Sequence, residues 1–167
     1  MKSISFLAAA AAALVVAGIA GAGDTGPSAA GGVHLTVHDV FGLQTLELQD
    51  FGFNARLRPD GSADGGYTYR DVEDGAPFTL DGPVTCLTVI GSDAWIGGEI
   101  EKSNDPSLVG QGAWWHVRDN GEGAGDPPDL TTFSGLGSPE DTAAFCAAHR
   151  PFRFPFAIDG GNIQVRS

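Results

Sequence analysis

The sequence predicts an all-β domain, an antiparallel meander barrel covered by one short helix near the C-terminus. Many short runs of alternating apolar and polar residues are each bounded by Gly, Pro or Asp, which is typical of strands joined by tight turns. The 25 glycines suit turns and bulges better than helices. A barrel is favoured because closure removes exposed strand edges, and a two-sheet sandwich is the alternative.

A central hairpin organises the predicted sheet. Residues 84–90 and 94–100 are rich in β-formers and are joined by Gly91, Ser92 and Asp93, residue types that tolerate the backbone angles of a reversal. The clearest alternation is at residues 51–58, where the apolar side chains occupy the odd-numbered positions. Further strands are predicted at 33–38, 43–48, 67–70, 78–80, 113–118, 130–133 and 163–166, with turns at 59–61, 74–75 and 81–83.

The single helix is predicted from its two ends. Ser138 is a favourable N-cap, Pro139 follows at a position where no N–H is missed, and two acidic residues come next. Residues 142–148 continue the helix, and Pro151 ends it. The three Phe residues of 152–156 alternate with Arg153 and Pro155, which predicts an extended segment that lies over apolar surface.

The chain is predicted to contain three parts. Residues 1–22 have the basic start, apolar middle and small-residue end of a secretory signal peptide. Residues 23–32 are small and polar without periodicity and predict a flexible leader, so residues 33–167 form the single β-domain. We therefore expect a secreted or periplasmic protein that retains no membrane span after processing.

The charge of the chain bears on its partners. Removal of Lys2 with the signal peptide leaves 8 basic and 21 acidic residues, a net charge of 8 − 21 = −13. Nucleic acids and anionic membranes need clustered Lys and Arg, so we expect neither as a partner. The acidity is compatible with simple solubility, with divalent cations or with a basic partner.

Cys86 and Cys146 are the two cysteines of the chain. In an exported protein, two cysteines favour one disulfide. This bond would attach the middle of the helix to the central hairpin. Two buried free thiols are the alternative.

A glycine-rich acidic loop at residues 119–129 is the candidate metal site. Its oxygen ligands would be Asp119, Asn120, Glu122, Asp126 and Asp129, and calcium prefers oxygen ligands on such a loop. The ordered spacing of the twelve-residue calcium loop is absent, and an ordinary long turn is the alternative. We predict no other cofactor.

Three tryptophans are the candidate ligand contacts. Trp114 and Trp115 are adjacent on one strand, so they point to opposite faces of the sheet. Trp95 lies on the central hairpin, and an exposed indole ring at any of the three positions can stack on a sugar or an apolar ligand. Burial beneath neighbouring segments is the alternative for each.

Four phrases of the sequence together resemble a pattern in small secreted bacterial β-domains of uncharacterised function. They are FGFNAR at 51–56, VTCLTV at 84–89, AWIGG at 94–98 and DNGEG at 119–123. The resemblance implies export and a β-domain, and it carries no activity with it.

The functional prediction is a non-enzymatic exported β-domain that binds a small molecule, a glycan or an extracellular component. The chain lacks the Gly-x-Ser-x-Gly and His-Glu-x-x-His motifs and any phosphate loop, so no catalytic residue is assigned. Two alternatives remain: an interaction module without a pocket, and a small barrel enzyme of the isomerase or hydrolase type.

Overall fold

Strands dominate the structure. The computed structural model describes residues 26–38, 46–73 and 75–167, without the side chains of Leu46 and Glu73. These ranges form one curled antiparallel sheet, a half-barrel, with a single short α-helix. The strands are β1 (Ser28–His38), β2 (Leu46–Leu57), β3 (Ala63–Glu73), β4 (Ala76–Ile90), β5 (Asp93–Glu99), β6 (Lys102–Ser103), β7 (Gly112–Arg118), β8 (Leu130–Thr131), β9 (Gly135–Gly137), β10 (Phe156–Ala157) and β11 (Gly160–Arg166), and the helix is α1 (Pro139–Ala148).

The order of the strands confirms the all-β, barrel-like prediction. Neighbours run β10-β8-β7-β5-β4-β3-β2-β1-β11, with β6 paired to β4 and β9 paired to β7. Most of the sheet is therefore a meander, and β11 returns from the C-terminus to pair with β1. Because these strands belong to one sheet, the structure is a curled half-barrel and not a two-sheet sandwich.

The predicted central hairpin is present. The second half of β4 pairs with β5 from Val84 opposite Gly98 to Ile90 opposite Asp93, with a bulge between Val84 and Cys86. Gly91 has φ +61° at the reversal, a conformation open to glycine. The predicted hairpin and its turn are thus confirmed.

One predicted turn is wrong. Asp81, Gly82 and Pro83 lie inside the continuous strand β4, whose first half pairs with β3 through Pro83 opposite Gly66. The strand changes its partner from β3 to β5 at this point. Gly82 permits the change because a Cβ there would collide with the Glu99 carbonyl. These three residues are typical of a turn, but here they lie where a continuous strand changes its partner.

The prediction of a flexible leader is also wrong for residues 28–32. Residues 28–32 form the start of β1, hydrogen-bonded between β2 and β11. Ala29 is buried, and Gly31 lies against the Phe53 ring and the Asn162 carbonyl. Small residues are needed here because β1 is packed closely between its neighbours. Residues 1–25, which include the predicted signal peptide, lie outside the described residues.

Aromatic rings fill the concave side of the sheet. The Trp115 ring centroid is 5.1 Å from that of Tyr67, 5.9 Å from Phe53 and 6.2 Å from Phe51. The rings belong to β7, β3 and β2, so they connect strands that are distant along the sheet. Further buried members of this interior are Val33, Leu35, Leu80, Ile96, Val117 and Ile163.

The helix packs on the other side of the sheet, against β4, β5 and β7. Ser138 caps it: its hydroxyl accepts from the Asp141 N–H at 3.1 Å, and the Asp141 carboxylate accepts from the Ser138 N–H at 3.1 Å. Thr142 lies so close to Gly97 and Gly112 that a Cβ at either glycine would overlap it. The predicted helix is confirmed at both ends.

The predicted disulfide is confirmed. Cys86 of β4 is bonded to Cys146 of α1, with 6.2 Å between their Cα atoms and a sequence separation of 60. It therefore fixes the helix to the central hairpin. Among the described residues, no helix is long and apolar enough to cross a membrane.

Candidate functional site

The acidic loop lies along the edge of β11. The Asp129 carboxylate accepts from the Ile163 N–H at 2.7 Å, and the Asp119 carboxylate accepts from the Val165 N–H at 3.0 Å. These N–H groups belong to β11, whose paired neighbour is β1. The two carboxylates thus satisfy strand donors on the open side of the half-barrel.

The other predicted calcium ligands also form hydrogen bonds within the protein. Glu122 accepts from the side chains of Asn162 and Gln164 at 3.0 and 2.7 Å, and these bonds lower the pKa of Glu122. Asp126 accepts from the Gly123 N–H at 2.7 Å, and the Asn120 side chain donates to the Pro128 carbonyl at 2.6 Å. In the part of the chain that is described, no three Asp, Glu, His or Cys side chains are placed to hold a metal ion. Calcium binding stays a prediction, and a chelator that lowers the melting temperature would support it.

The three tryptophans have three different environments. Trp115 is 3% exposed and lies in the aromatic interior. Trp95 is 5% exposed, and its indole N–H donates to the Arg150 carbonyl at 2.8 Å. Trp114 is half-buried on the helix side of β7, 6.0 Å from the Phe145 ring. Of the predicted ligand contacts, Trp114 alone borders a cavity described below.

That cavity is a half-open depression of about 410 Å³ on the helix side of the sheet, here called the outer cleft. It lies between β7, the segment 132–135, the helix and the segment 150–154. Its apolar walls are Trp114, Phe133, Phe145, Pro151 and Phe154, and its polar groups come from His116, Thr132, Ser134, Arg150 and Arg153.

The Trp114 ring forms the floor of this region because two glycines leave room for it. A Cβ added to Gly135 would collide with the indole, and one added to Gly137 would lie 2.9 Å from it. A second depression of about 260 Å³ shares Trp114, Phe145 and Arg150 and also contacts Asp141. The Asp141 carboxylate is held by Ser138 at the start of the helix.

His116 is the buried polar residue of the outer cleft. It is 2% exposed, and its ring lies between Trp95 at 4.1 Å and Phe152 at 3.8 Å, measured between centroids. His116 Nε2 is 3.0 Å from Asp93 Oδ1, and the Arg118 guanidinium donates to both Asp93 oxygens at 3.0 Å. The charged pair of Asp93 and Arg118 therefore holds the imidazole in place.

Burial determines the charge of this histidine. Loss of hydration lowers the pKa of His116 to about 4, and the opposing effect of Asp93 is smaller. The ring is therefore neutral at pH 7. Because the Asp93 carboxylate accepts, Nε2 carries the proton and Nδ1 keeps its lone pair. Nδ1 forms no hydrogen bond to any residue that the structure describes.

Positive backbone φ angles occur at the end of the helix and at the outer cleft. Among the described residues, His149 and Phe154 are the two non-glycine residues with positive φ, at 33° and 51°. His149 ends the helix, and Phe154 is 66% exposed at the cleft. Such strain costs on the order of 1 kcal/mol or more and gathers at binding sites.

No function is predicted from the sequence for His116, Arg150, Arg153 or Phe154. The signal for His116 was the alternation of β7, which places it on the face of Trp114. Arg150 directly precedes Pro151, which the sequence predicts as the end of the helix, and Arg153 belongs to the predicted extended segment. Their convergence depends on how the helix and the segment after it dock on the sheet.

Comparison of the chain with protein-family models, with curated proteins and with solved structures finds no match.

Proposed function

We propose that this protein is an exported, non-enzymatic β-domain that binds a small molecule in the outer cleft. The observation that carries the proposal is the aromatic-walled cavity of about 410 Å³ with a few polar groups at its edge. Binding sites for small molecules are typically apolar depressions of roughly 300 to 1,000 Å³ with a few placed polar groups. In the interior, by contrast, Trp115 packs against Phe53 and Tyr67.

The walls of the cleft favour a ligand with a flat apolar part. Trp114, Phe145 and Phe154 present aromatic rings to the cavity, and ring faces stack on other rings or on the apolar face of a sugar. A planar aromatic compound and a glycan are thus both compatible with the walls. The disulfide holds the helix that forms one wall of the cleft. Because this wall is already fixed, less conformational entropy is lost when a ligand binds.

Binding of a neutral apolar dye tests the proposal. We expect N-phenyl-1-naphthylamine to bind to the purified protein with increased fluorescence. Phe154→Ala should weaken binding about fivefold because an aromatic contact is lost. Ile90→Ala is the matched control, since Ile90 is an exposed apolar residue of β4 that does not border the cleft. No binding, or equal weakening by both variants, would contradict the proposal.

Export is the second part of the proposal. It is supported by the signal-peptide pattern of residues 1–22 and by the disulfide, because disulfides persist in oxidising compartments. The resemblance to small secreted bacterial β-domains points the same way. We expect mass spectrometry of the secreted or periplasmic protein to show the loss of about the first 22 residues. An intact N-terminus would contradict this placement.

A small barrel enzyme is the second candidate function. The observation in its favour is the neutral His116, oriented by Asp93 at the edge of the cleft, as a general base requires. The non-enzymatic proposal is preferred because the ring is held between two aromatic side chains and no hydroxyl within the described chain bonds to it. Hydrolysis of p-nitrophenyl esters that is abolished by His116→Phe would favour the enzyme.

A further inference from the structure

The outer cleft combines apolar walls with positive charge in an acidic protein. The chain has a formal charge of −12 and only nine Lys and Arg residues. Arg150 and Arg153 nevertheless both border this cleft. Arg118 lies nearby, with its guanidinium carbon 5.3 Å from the centre of the Phe152 ring.

The guanidinium groups of the cleft differ in what they already bind. Arg118 is neutralised by its two hydrogen bonds to Asp93. Arg150 and Arg153 form no ion pair with any residue in the described ranges, and both are exposed. A guanidinium has five N–H donors and no acceptor, so these two side chains are suited to an anionic group.

We propose, resting on the proposed function, that the ligand of the outer cleft is a planar apolar molecule that carries an anionic group. The rings of Trp114, Phe145 and Phe154 contact its apolar part, and Arg150 and Arg153 bind its carboxylate, sulfonate or phosphate. An aromatic cleft can also attract a cation through its ring faces. Two guanidinium groups at the rim repel a cation, so charge complementarity favours the anion.

Two dyes with the same ring skeleton separate the apolar part from the charge. N-phenyl-1-naphthylamine is neutral, and 8-anilinonaphthalene-1-sulfonate adds one sulfonate to it. We expect the sulfonate dye to bind about fivefold more tightly at low ionic strength, because an exposed ion pair contributes only a modest free energy. Added salt should reduce this difference, because it screens the charges.

The double variant Arg150→Gln/Arg153→Gln identifies the groups that bind the anion. We expect it to weaken binding of the sulfonate dye about fivefold more than it weakens binding of the neutral dye. The charge-matched control is Arg58→Gln/Arg70→Gln, since these arginines pair with Asp64 of β3 and Asp81 of β4, away from the cleft. The control should leave both dyes unchanged.

The outcomes distinguish this inference from the proposed function. Equal affinity for the two dyes, or equal weakening of the sulfonate dye by both double variants, overturns the anionic ligand while the apolar cleft stands. Failure of both dyes to bind overturns the proposed function as well.

Discussion

Trp114 and Trp115 are neighbours in sequence and lie in two opposite regions of the molecule. Trp115 packs against Tyr67, Phe53 and Phe51 in the interior and is 3% exposed. Trp114 borders the outer cleft, where its indole lies over Gly135 beside Phe145. The two-residue period of one strand thus supplies both the core and the candidate site.

The two regions differ in exposure and in charge rather than in hydrogen-bond satisfaction, since the buried indole N–H of Trp115 has no hydrogen-bond partner among the described residues. In the interior, rings contact rings, and the open side of the sheet is satisfied by the carboxylates of Asp119 and Asp129. At the outer cleft, two arginines form no ion pair within the described chain, and the backbone of Phe154 has positive φ. The interior provides stability, and the cleft retains the capacity to bind.

The largest expected effect comes from truncating the interior tryptophan. Trp115→Ala should lower the free energy of unfolding by about 4 to 5 kcal/mol because it leaves a cavity among packed rings. Trp114→Ala should lower it by about 2 kcal/mol or less, since this side chain is half-buried, while weakening dye binding. Urea unfolding of both variants measures the contrast. Equal losses of stability would contradict the division into core and cleft.

Loss of the disulfide should affect the stability next most strongly. Cys86→Ser/Cys146→Ser opens a loop of 60 residues, and the chain-entropy model predicts a loss of about 4 kcal/mol. Because the bond fixes the helix wall of the cleft, dye affinity should fall as well. Denaturant unfolding at matched protein concentration tests the first effect. Unchanged stability would mean that the bond does not constrain the unfolded chain.

Lowering the pH should reduce the folding stability of the protein through protonation of His116. Its folded pKa of about 4 lies below the ordinary value of 6.5, so the unfolded state binds the proton first. Stability is fully present above pH 6.5 and is lost as the pH falls towards 4, by about 3 kcal/mol.

The matched control for this pH effect is His116→Phe, which keeps a ring between Trp95 and Phe152. Between pH 7 and pH 4, the unfolding free energy of the wild type should fall more than that of the variant, which lacks the titrating imidazole. The same pH profile in both proteins would exclude His116 as its source.

The smallest predicted effect concerns the open side of the half-barrel. Asp129→Asn replaces an acceptor with a donor beside the N–H of Ile163 or Asn120, and should cost about 2 kcal/mol. Asp126→Asn is the control, because Asp126 is exposed and its carboxylate accepts from the nearby Gly123 N–H. Thermal unfolding compares them. Equal melting temperatures would show that the carboxylate bonds to β11 contribute little.

Local patterns predicted the parts of the fold that depend on local chemistry. The alternation of β2, the turn after β4 and the Ser138 cap each act within a few residues, and the structure has them. The leader prediction failed because residues 28–32 show no periodicity of their own and are ordered by β2 and β11. The turn at Gly82 failed because β4 exchanges one partner for another there.

The outer cleft could not be predicted from local sequence patterns, for a related reason. Its residues come from β7, from segment 132–135 and from the chain after the helix. Alternation places Trp114 and Trp115 on opposite faces of β7, but it does not tell which of them borders the cleft. His116 and Arg153 converge only after the helix and Phe152 dock on the sheet, and this docking leaves no spacing rule in the sequence.

The indole N–H signals of the three tryptophans test the placement of the ligand most directly. Each signal can be assigned by a single Trp→Phe variant and followed by NMR during titration with N-phenyl-1-naphthylamine. If the outer cleft is the binding site, the Trp114 signal shifts with the added dye and the Trp115 signal stays in place. A shift of Trp115 with an unmoved Trp114 would place the ligand in the interior and contradict the account.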